Sequence, residues 1–151
     1  METPDHSVPA RLTNLPSWLL TQSAAHARRL VSDGLAMLDA RGYHYRLLAA
    51  LAEFGPASQA TLGQRSGIHT SDLVATINEL ADRELLERAP DPADRRRNIV
   101  TITTAGKRHL RRLDRRLAQI QEELLAPLSA GDRERLARLL GWVLAHHAAR
   151  S

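Results

Sequence analysis

The sequence predicts a mainly α protein carrying one small β-hairpin, on three observations. Leu and Ala dominate an apolar fraction of 43% while aromatic residues make up only 3%, a balance that favours helix over strand. Apolar residues recur at steps of three and four over most of the chain, the period of a helix with one buried face. The exception lies between Leu85 and Ile102, where two short apolar runs flank a polar loop. At 151 residues the chain has the length of one domain and enough apolar content to build a core.

Taken in order, residues 1 to about 14 show no periodicity and read as a loose arm. From Pro16 onward, Leu20, Ala24, Ala27, Val31, Leu35 and Leu38 share one face of a long helix ending near Gly42. Leu47, Leu48, Leu51 and Phe54 form a second stripe, closed by Gly55-Pro56, a pair that cannot continue a helix. Ser58 caps a short helix that buries Leu62, and Gly67 supplies the tight turn before Ile68. Thr70 and Ser71 are both good caps for the next helix, and Asp72 complements its positive N-terminal dipole. Leu73, Val74, Ile77, Leu80 and Ala81 line its inner face, leaving Thr70, Ser71, Asp72, Ala75 and Thr76 outside.

Leu85 to Arg88 then predicts a strand, and the alternation of Val100 with Ile102 predicts its partner. The loop between them, DPADRRRN, puts Arg95, Arg96 and Arg97 at a hairpin tip. Thr103 caps a long helix whose Leu110, Leu113, Leu117, Ile120 and Leu124 form the most regular stripe in the chain. Pro127 ends it. Ser129 with Asp132 starts a last helix carrying Leu136, Leu139, Leu140, Val143 and Leu144.

The net charge of +4 hides its distribution. From Arg83 to Arg116 there are eleven basic residues against five acids, a net +6 that leaves −2 for the remainder. A basic segment on a near-neutral body is the electrostatic footprint of a polyanion binder. Arg108, Arg111, Arg112, Arg115 and Arg116 lie away from the leucine stripe of their helix, where a solvated face accounts for them.

Composition also excludes. With no cysteine there is no disulfide, thiolate metal site or thiol redox sensing. The first residues, METPDHSVPA, lack the basic start and apolar run of a signal peptide, and no stretch has the ~18 apolar residues of a membrane span; the expected location is the cytoplasm. No HExxH, Gly-rich phosphate loop or nucleophile elbow points to an enzyme. Seven histidines raise zinc sensing as a rival, but His146 and His147 sit about 100° apart on a helix and cannot both aim at one ion. His26, His44 and His109 are the set that a fold would have to bring together. A metal-free protein without a cofactor is the expectation.

Helix, helix, Gly turn, helix and charged-tip hairpin is the order of a winged helix-turn-helix. Asp91, Asp94, Arg96, Val100, Ile102, Thr103 and Gly106, in DPADRRRNIVTITTAGK, resemble the wing signature of the MarR family of bacterial transcriptional regulators. SQATLGQRSGIHTSDLVATINELADRELLER resembles that family's helix-turn-helix, and the likeness covers roughly residues 16 to 147. The resemblance implies a single MarR-type domain over 1–151, with dimerisation helices at about 16–41 and 104–147 and a winged helix-turn-helix at about 43–103. It implies a homodimer that grips palindromic double-stranded DNA and represses transcription. The long stripes outside the small lobe agree, having more apolar surface than that lobe can cover.

The same resemblance suggests roles. Asp94 orients Arg96 toward the minor groove through a salt bridge, while Arg95 and Arg97 clamp phosphates, tasks that suit a planar, permanently charged guanidinium. Thr70, Ser71, Asp72 and Thr76 are candidates for major-groove contacts, and Ser58, Gln59 and His69 for the DNA backbone. A small aromatic carboxylate or phenolic effector would sit among Trp18, His26, Tyr43, His44 and Arg46. The competing reading is a winged-helix module that binds DNA without sequence preference, or binds protein.

Overall fold

A computed structural model describes residues 7–151. Seven helices and three strands follow one another as α1 (Ala10–Thr13), α2 (Pro16–Ala36), α3 (Gly42–Phe54), β1 (Ala57–Ser58), α4 (Gln59–Ser66), α5 (Thr70–Asp82), β2 (Leu86–Pro90), β3 (Asn98–Ile102), α6 (Thr104–Leu124) and α7 (Ala130–Ala148). The expected loose arm is corrected in part: Ala10–Thr13 form one helical turn against α2, while residues 1–6 lie outside the described residues.

The first long helix ends earlier than its stripe suggests. After Ala36 the chain turns through Asp39, whose φ of 52° is left-handed. The N–H of Asp39 bonds the carbonyl of Ala36, and that of Ala40 bonds Leu35, the pairing of a Schellman stop with both Leu35 and Ala40 buried. Gly42, expected to end this helix, instead begins α3. Aspartate tolerates the left-handed region better than most residues, and Arg83 Nη1 donates to the Asp39 carbonyl at 2.7 Å, tying the turn to the far end of α5.

Leu35, Leu47, Leu48, Leu51, Leu62, Ile68, Leu73, Ile77, Leu80, Val100 and Leu113 form the core where α3, α4, α5 and the sheet meet the long helices. Fully burying a leucine side chain contributes about 1.5–3 kcal/mol, so this cluster holds the lobe together. Tyr45 joins α3 to α6 by donating its hydroxyl proton to Asp114 at 2.7 Å. That hydrogen bond to a carboxylate, with burial second, pushes the phenol above its ordinary range.

Strand order is β1-β3-β2, all antiparallel, so β3 is central. β1 was not expected: two residues are too short to show a period. Ala57 pairs with Val100 on one side of β3, and Arg88 pairs with the same Val100 on the other.

Some stripe positions lie outside the core. Leu20 is exposed on α2 and Val74 on α5, and Phe54 lies exposed beneath the guanidinium of Arg65, 5.1 Å from its ring centre. α7 buries none of its residues, and Leu139, Leu140, Trp142, Val143 and Leu144 are all exposed. No helix among the described residues is long and apolar enough to cross a membrane.

Candidate nucleic-acid interface

Two structural units meet around one recess. The first is the helix pair α4–α5. Ser58 caps α4, its Oγ accepting from the Thr61 N–H at 3.3 Å and donating to Thr61 Oγ1 at 3.1 Å. Gly67 ends α4 in the left-handed region at φ 67°, as a tight turn requires. At Gly63 a side chain's first carbon would meet Leu73 Cδ2 at 3.1 Å, so glycine lets α5 approach α4 closely.

The start of α5 differs from expectation. Neither Thr70 nor Ser71 caps it; His69 does, its Nδ1 accepting from the Ser71 N–H at 3.4 Å and facing Ser71 Oγ at 3.0 Å. An accepting Nδ1 puts the proton of the neutral ring on Nε2, leaving His69 a donor at an exposed helix start. Thr70, Ser71 and Asp72 are exposed in the first turn. Thr76 is corrected: it is fully buried and donates to the Asp72 carbonyl at 2.7 Å, so it has no surface to offer a base. Val74, 40% exposed one turn on from Thr70 and Ser71, occupies the outer face instead. An apolar side chain there suits contact with a thymine methyl group. The signal was present: a stripe already holding Leu73, Ile77 and Leu80 needs one more inward position, and a threonine bonded back to the helix fills it.

The second unit is the wing, whose tip is built by its acids. Asp91 Oδ1 accepts from the Ala93 N–H at 2.9 Å, and the Asp91 N–H donates to the Arg97 carbonyl at 2.8 Å. Asp94 Oδ1 accepts from the Arg96 N–H at 3.1 Å, and its carbonyl from the Arg97 N–H at 3.0 Å. The expected salt bridge between the Asp94 carboxylate and the Arg96 guanidinium is therefore corrected: among the described residues none forms, and Asp94 holds the backbone of Arg96 instead. An aspartate two residues before an N–H closes an Asx turn, which leaves the three arginine side chains exposed.

Between the units lies an open recess of about 680 Å³, lined by Ser58, Gln59, Gly63, Gln64, Thr70, Arg96 and Arg97, with Ile68 and Leu73 beneath. Arg95 is not among its walls. Ser58 is buried and its hydroxyl is committed to the cap, so its expected contact with a phosphate is corrected: Gln59, half-exposed beside it, offers the polar group. Arg88 Nη1 donates to Asn78 Oδ1 at 2.7 Å, bracing the wing against α5.

Behind α5, Glu79 binds the scaffold. Its Oε2 lies 2.5 Å from Arg41 Nη2 and 2.7 Å from His44 Nε2. His44 is buried and its Nδ1 accepts from the Arg41 N–H at 3.2 Å, which leaves Nε2 to donate to Glu79. The hydrogen bond from His44, and then Arg41, hold the Glu79 carboxyl below its ordinary range against an opposing effect of burial.

The five residues expected around an effector lie on α2 and α3. His44 is taken up by Arg41 and Glu79, His26 is exposed on α2, Trp18 is half-buried near the start of that helix, and Arg46 stacks on Tyr43 at 5.9 Å. Neither the recess at the wing nor the one between Leu38 and the arginines of α6 is lined by these five. Among the described residues no group of three His, Asp or Glu side chains could hold a metal ion.

Comparison with known proteins agrees with this geometry. The model of the MarR family matches residues 38–97. The chain is 36% identical over 93 residues to the HTH-type transcriptional repressor NicR of Pseudomonas putida, an alignment covering 62% of this chain and 59% of NicR. It is 33% identical over 96 residues to the HTH-type transcriptional regulator YxaD of Bacillus subtilis, covering 64% of this chain and 67% of YxaD. Its fold matches the PcaV transcriptional regulator of Streptomyces coelicolor, solved in complex with its natural ligand, at a TM-score of 0.73 and 28% identity over 92% of this chain and 98% of that one. With a helix-turn-helix and an arginine-tipped wing facing one recess, the chain belongs to the MarR family of transcriptional regulators.

Proposed function

We propose that the protein is a homodimeric repressor that binds a palindromic operator in the cytoplasm and releases it on binding a small-molecule effector. One observation carries the DNA reading: Arg96 and Arg97 of the wing and Gln59 and Thr70 of the helix pair line a single recess. The first turn of α5, with Thr70, Ser71, Asp72 and Val74 outward, enters the major groove. Arg96 reaches the adjacent minor groove, and Arg95 and Arg97 neutralise phosphates. His69 Nε2 and Gln59 donate to the DNA backbone.

The second copy is supported by what one subunit leaves uncovered. α7 buries nothing of its own, and Leu15 just before α2 and Leu19 and Leu20 within it are exposed as well. Apolar area on that scale marks an association surface. A two-fold dimer places two recognition helices ~34 Å apart, one turn of DNA, or at a multiple of that spacing. The effector reading rests on PcaV, which is solved with a natural ligand. A small aromatic carboxylate or phenol that prefers a splayed dimer lowers the fraction spaced to fit DNA.

Selection of bound sequences from random DNA tests the whole reading. The expected result is a palindrome with half-sites one or more helical turns apart, bound at least ~10³-fold more tightly than scrambled duplex at physiological salt. Equal affinity for every duplex would establish an architectural module instead.

A further inference from the structure

His109 lies in the second turn of α6, 6% exposed, at the seam where the long helix meets the winged lobe. Its Nε2 is the one buried side-chain nitrogen or oxygen among the described residues that has no hydrogen-bond partner. The groups whose charge acts on it are Arg83 at the C-terminal end of α5, Arg112 one turn further along α6, and His44 of α3; α2, which also packs on α6, supplies none. No carboxylate is among them. Glu79 is taken up by Arg41 and His44, and Asp114 by Tyr45.

We propose that His109 is a proton-operated release for the seat of the recognition helix. As a neutral ring it fills the seam as a compact, nearly apolar block. Protonated, it becomes a buried cation with no acceptor for its new N–H, repelled by the charges of Arg83 and Arg112, and a charge so placed is costly. The strain is relieved by drawing α6 away from α3 and the end of α5. The same His44 and Arg83 hold α5 in register, His44 by its bond to Glu79 and Arg83 by its bond to the Asp39 carbonyl. Loosening the seam reduces the fraction of lobes aligned for DNA, so acidification releases the operator. Burial first, and then Arg83, Arg112 and His44, hold the imidazole below its ordinary range, which keeps the release closed at neutral pH.

The proposal rests on the DNA-binding reading but predicts its own sign. The test compares wild type with His109→Gln, as full-length protein on the selected duplex at constant salt, between about pH 7.5 and about pH 5.5. Wild type is expected to lose ~10-fold or more in affinity while His109→Gln stays within ~3-fold. Arg112→Gln, which removes one repelling charge, makes the buried cation less costly and is expected to weaken the release and move it to lower pH. Thermal unfolding without DNA provides a separate readout: the wild-type midpoint falls as pH drops below the ordinary imidazole range, and that of His109→Gln holds. The same pH response in wild type and His109→Gln, or wild-type binding that tightens on acidification, overturns the proposal. If His109→Gln does not fold, an unmoved midpoint in Arg112→Gln overturns it. If no duplex is bound specifically at any pH, the DNA reading fails and the melts alone decide this inference.

Discussion

Gly106 of α6 lies so close to the carbonyl oxygen of Leu85 that the first carbon of any side chain would overlap it, with Ile102 crowding the same point at 2.8 Å. The obstacle is backbone and cannot rotate away. The same carbonyl accepts from the Thr103 N–H at 3.2 Å, so the start of α6 is clasped to the residue just before β2, the strand that leads into the wing. Gly106→Ala is therefore expected to cost about 1–3 kcal/mol of stability, measured as a lowered denaturant midpoint. An unchanged midpoint would show that the clasp gives way freely.

At the wing tip, the role of Asp94 separates two substitutions. Its Oδ1 holds the Arg96 N–H rather than the guanidinium. Asparagine keeps an oxygen for that bond and alanine does not. Asp94→Asn is expected to bind the operator within ~3-fold of wild type, and Asp94→Ala to lose about 1 kcal/mol in a gel shift. A loss in Asp94→Asn as large as in Asp94→Ala would restore the salt bridge. Arg96→Ala should cost about 1–3 kcal/mol and flatten the salt dependence.

On α5 the buried and exposed positions exchange roles. Thr76→Val is expected to leave the selected base sequence unchanged and to alter stability by no more than about 1.5 kcal/mol. Val74→Ser should relax preference at one base pair per half-site, by about 1 kcal/mol or more. Repeating the random-DNA selection with each variant decides between them.

Much of this was legible in the sequence. The long helices and hairpin followed from period, because Leu113 and Ile120, like Leu47 and Leu51, recur at spacings that only one secondary structure satisfies. The wing followed from its acids and arginines. What escaped was settled by tertiary contact. Asp39 turns left-handed under a guanidinium that arrives from 44 residues away, Ser58 is both strand and cap, and Thr76 is inside because its hydroxyl has a carbonyl one turn back.

Glu79 makes a pH-dependent contribution distinct from that of His109. Its carboxyl is held below the ordinary range by His44 and Arg41, so its stabilisation is full above that range and is lost as pH falls through the depressed folded value. With 43% of the side chain exposed, the contribution stays under about 1 kcal/mol. Glu79→Gln should melt slightly below wild type at neutral pH, and the two curves should converge in acid. A constant gap across pH would mean that packing alone is lost.

The uncovered face of α7 gives the simplest mutational test. Leu144 and Trp142 are 72% and 64% exposed in the single subunit. Leu144→Arg is expected to halve the mass seen by light scattering at micromolar concentration and to abolish operator binding, while the lobe stays folded by circular dichroism. A wild-type chain that runs as a monomer would remove the two-fold reading at its root.

The central place of β3 has a mechanical consequence. Val100 is laddered to Ala57 on one side and to Arg88 on the other, so the strand that ends the wing also fixes the point where α4 begins. Arginine tip and helix starts are thereby joined as two jaws across one recess. On the proposed DNA-binding reading, such a pair would gauge a duplex as well as read it. Operators with identical major-groove letters but a broadened minor groove beneath the tip would be rejected on width alone.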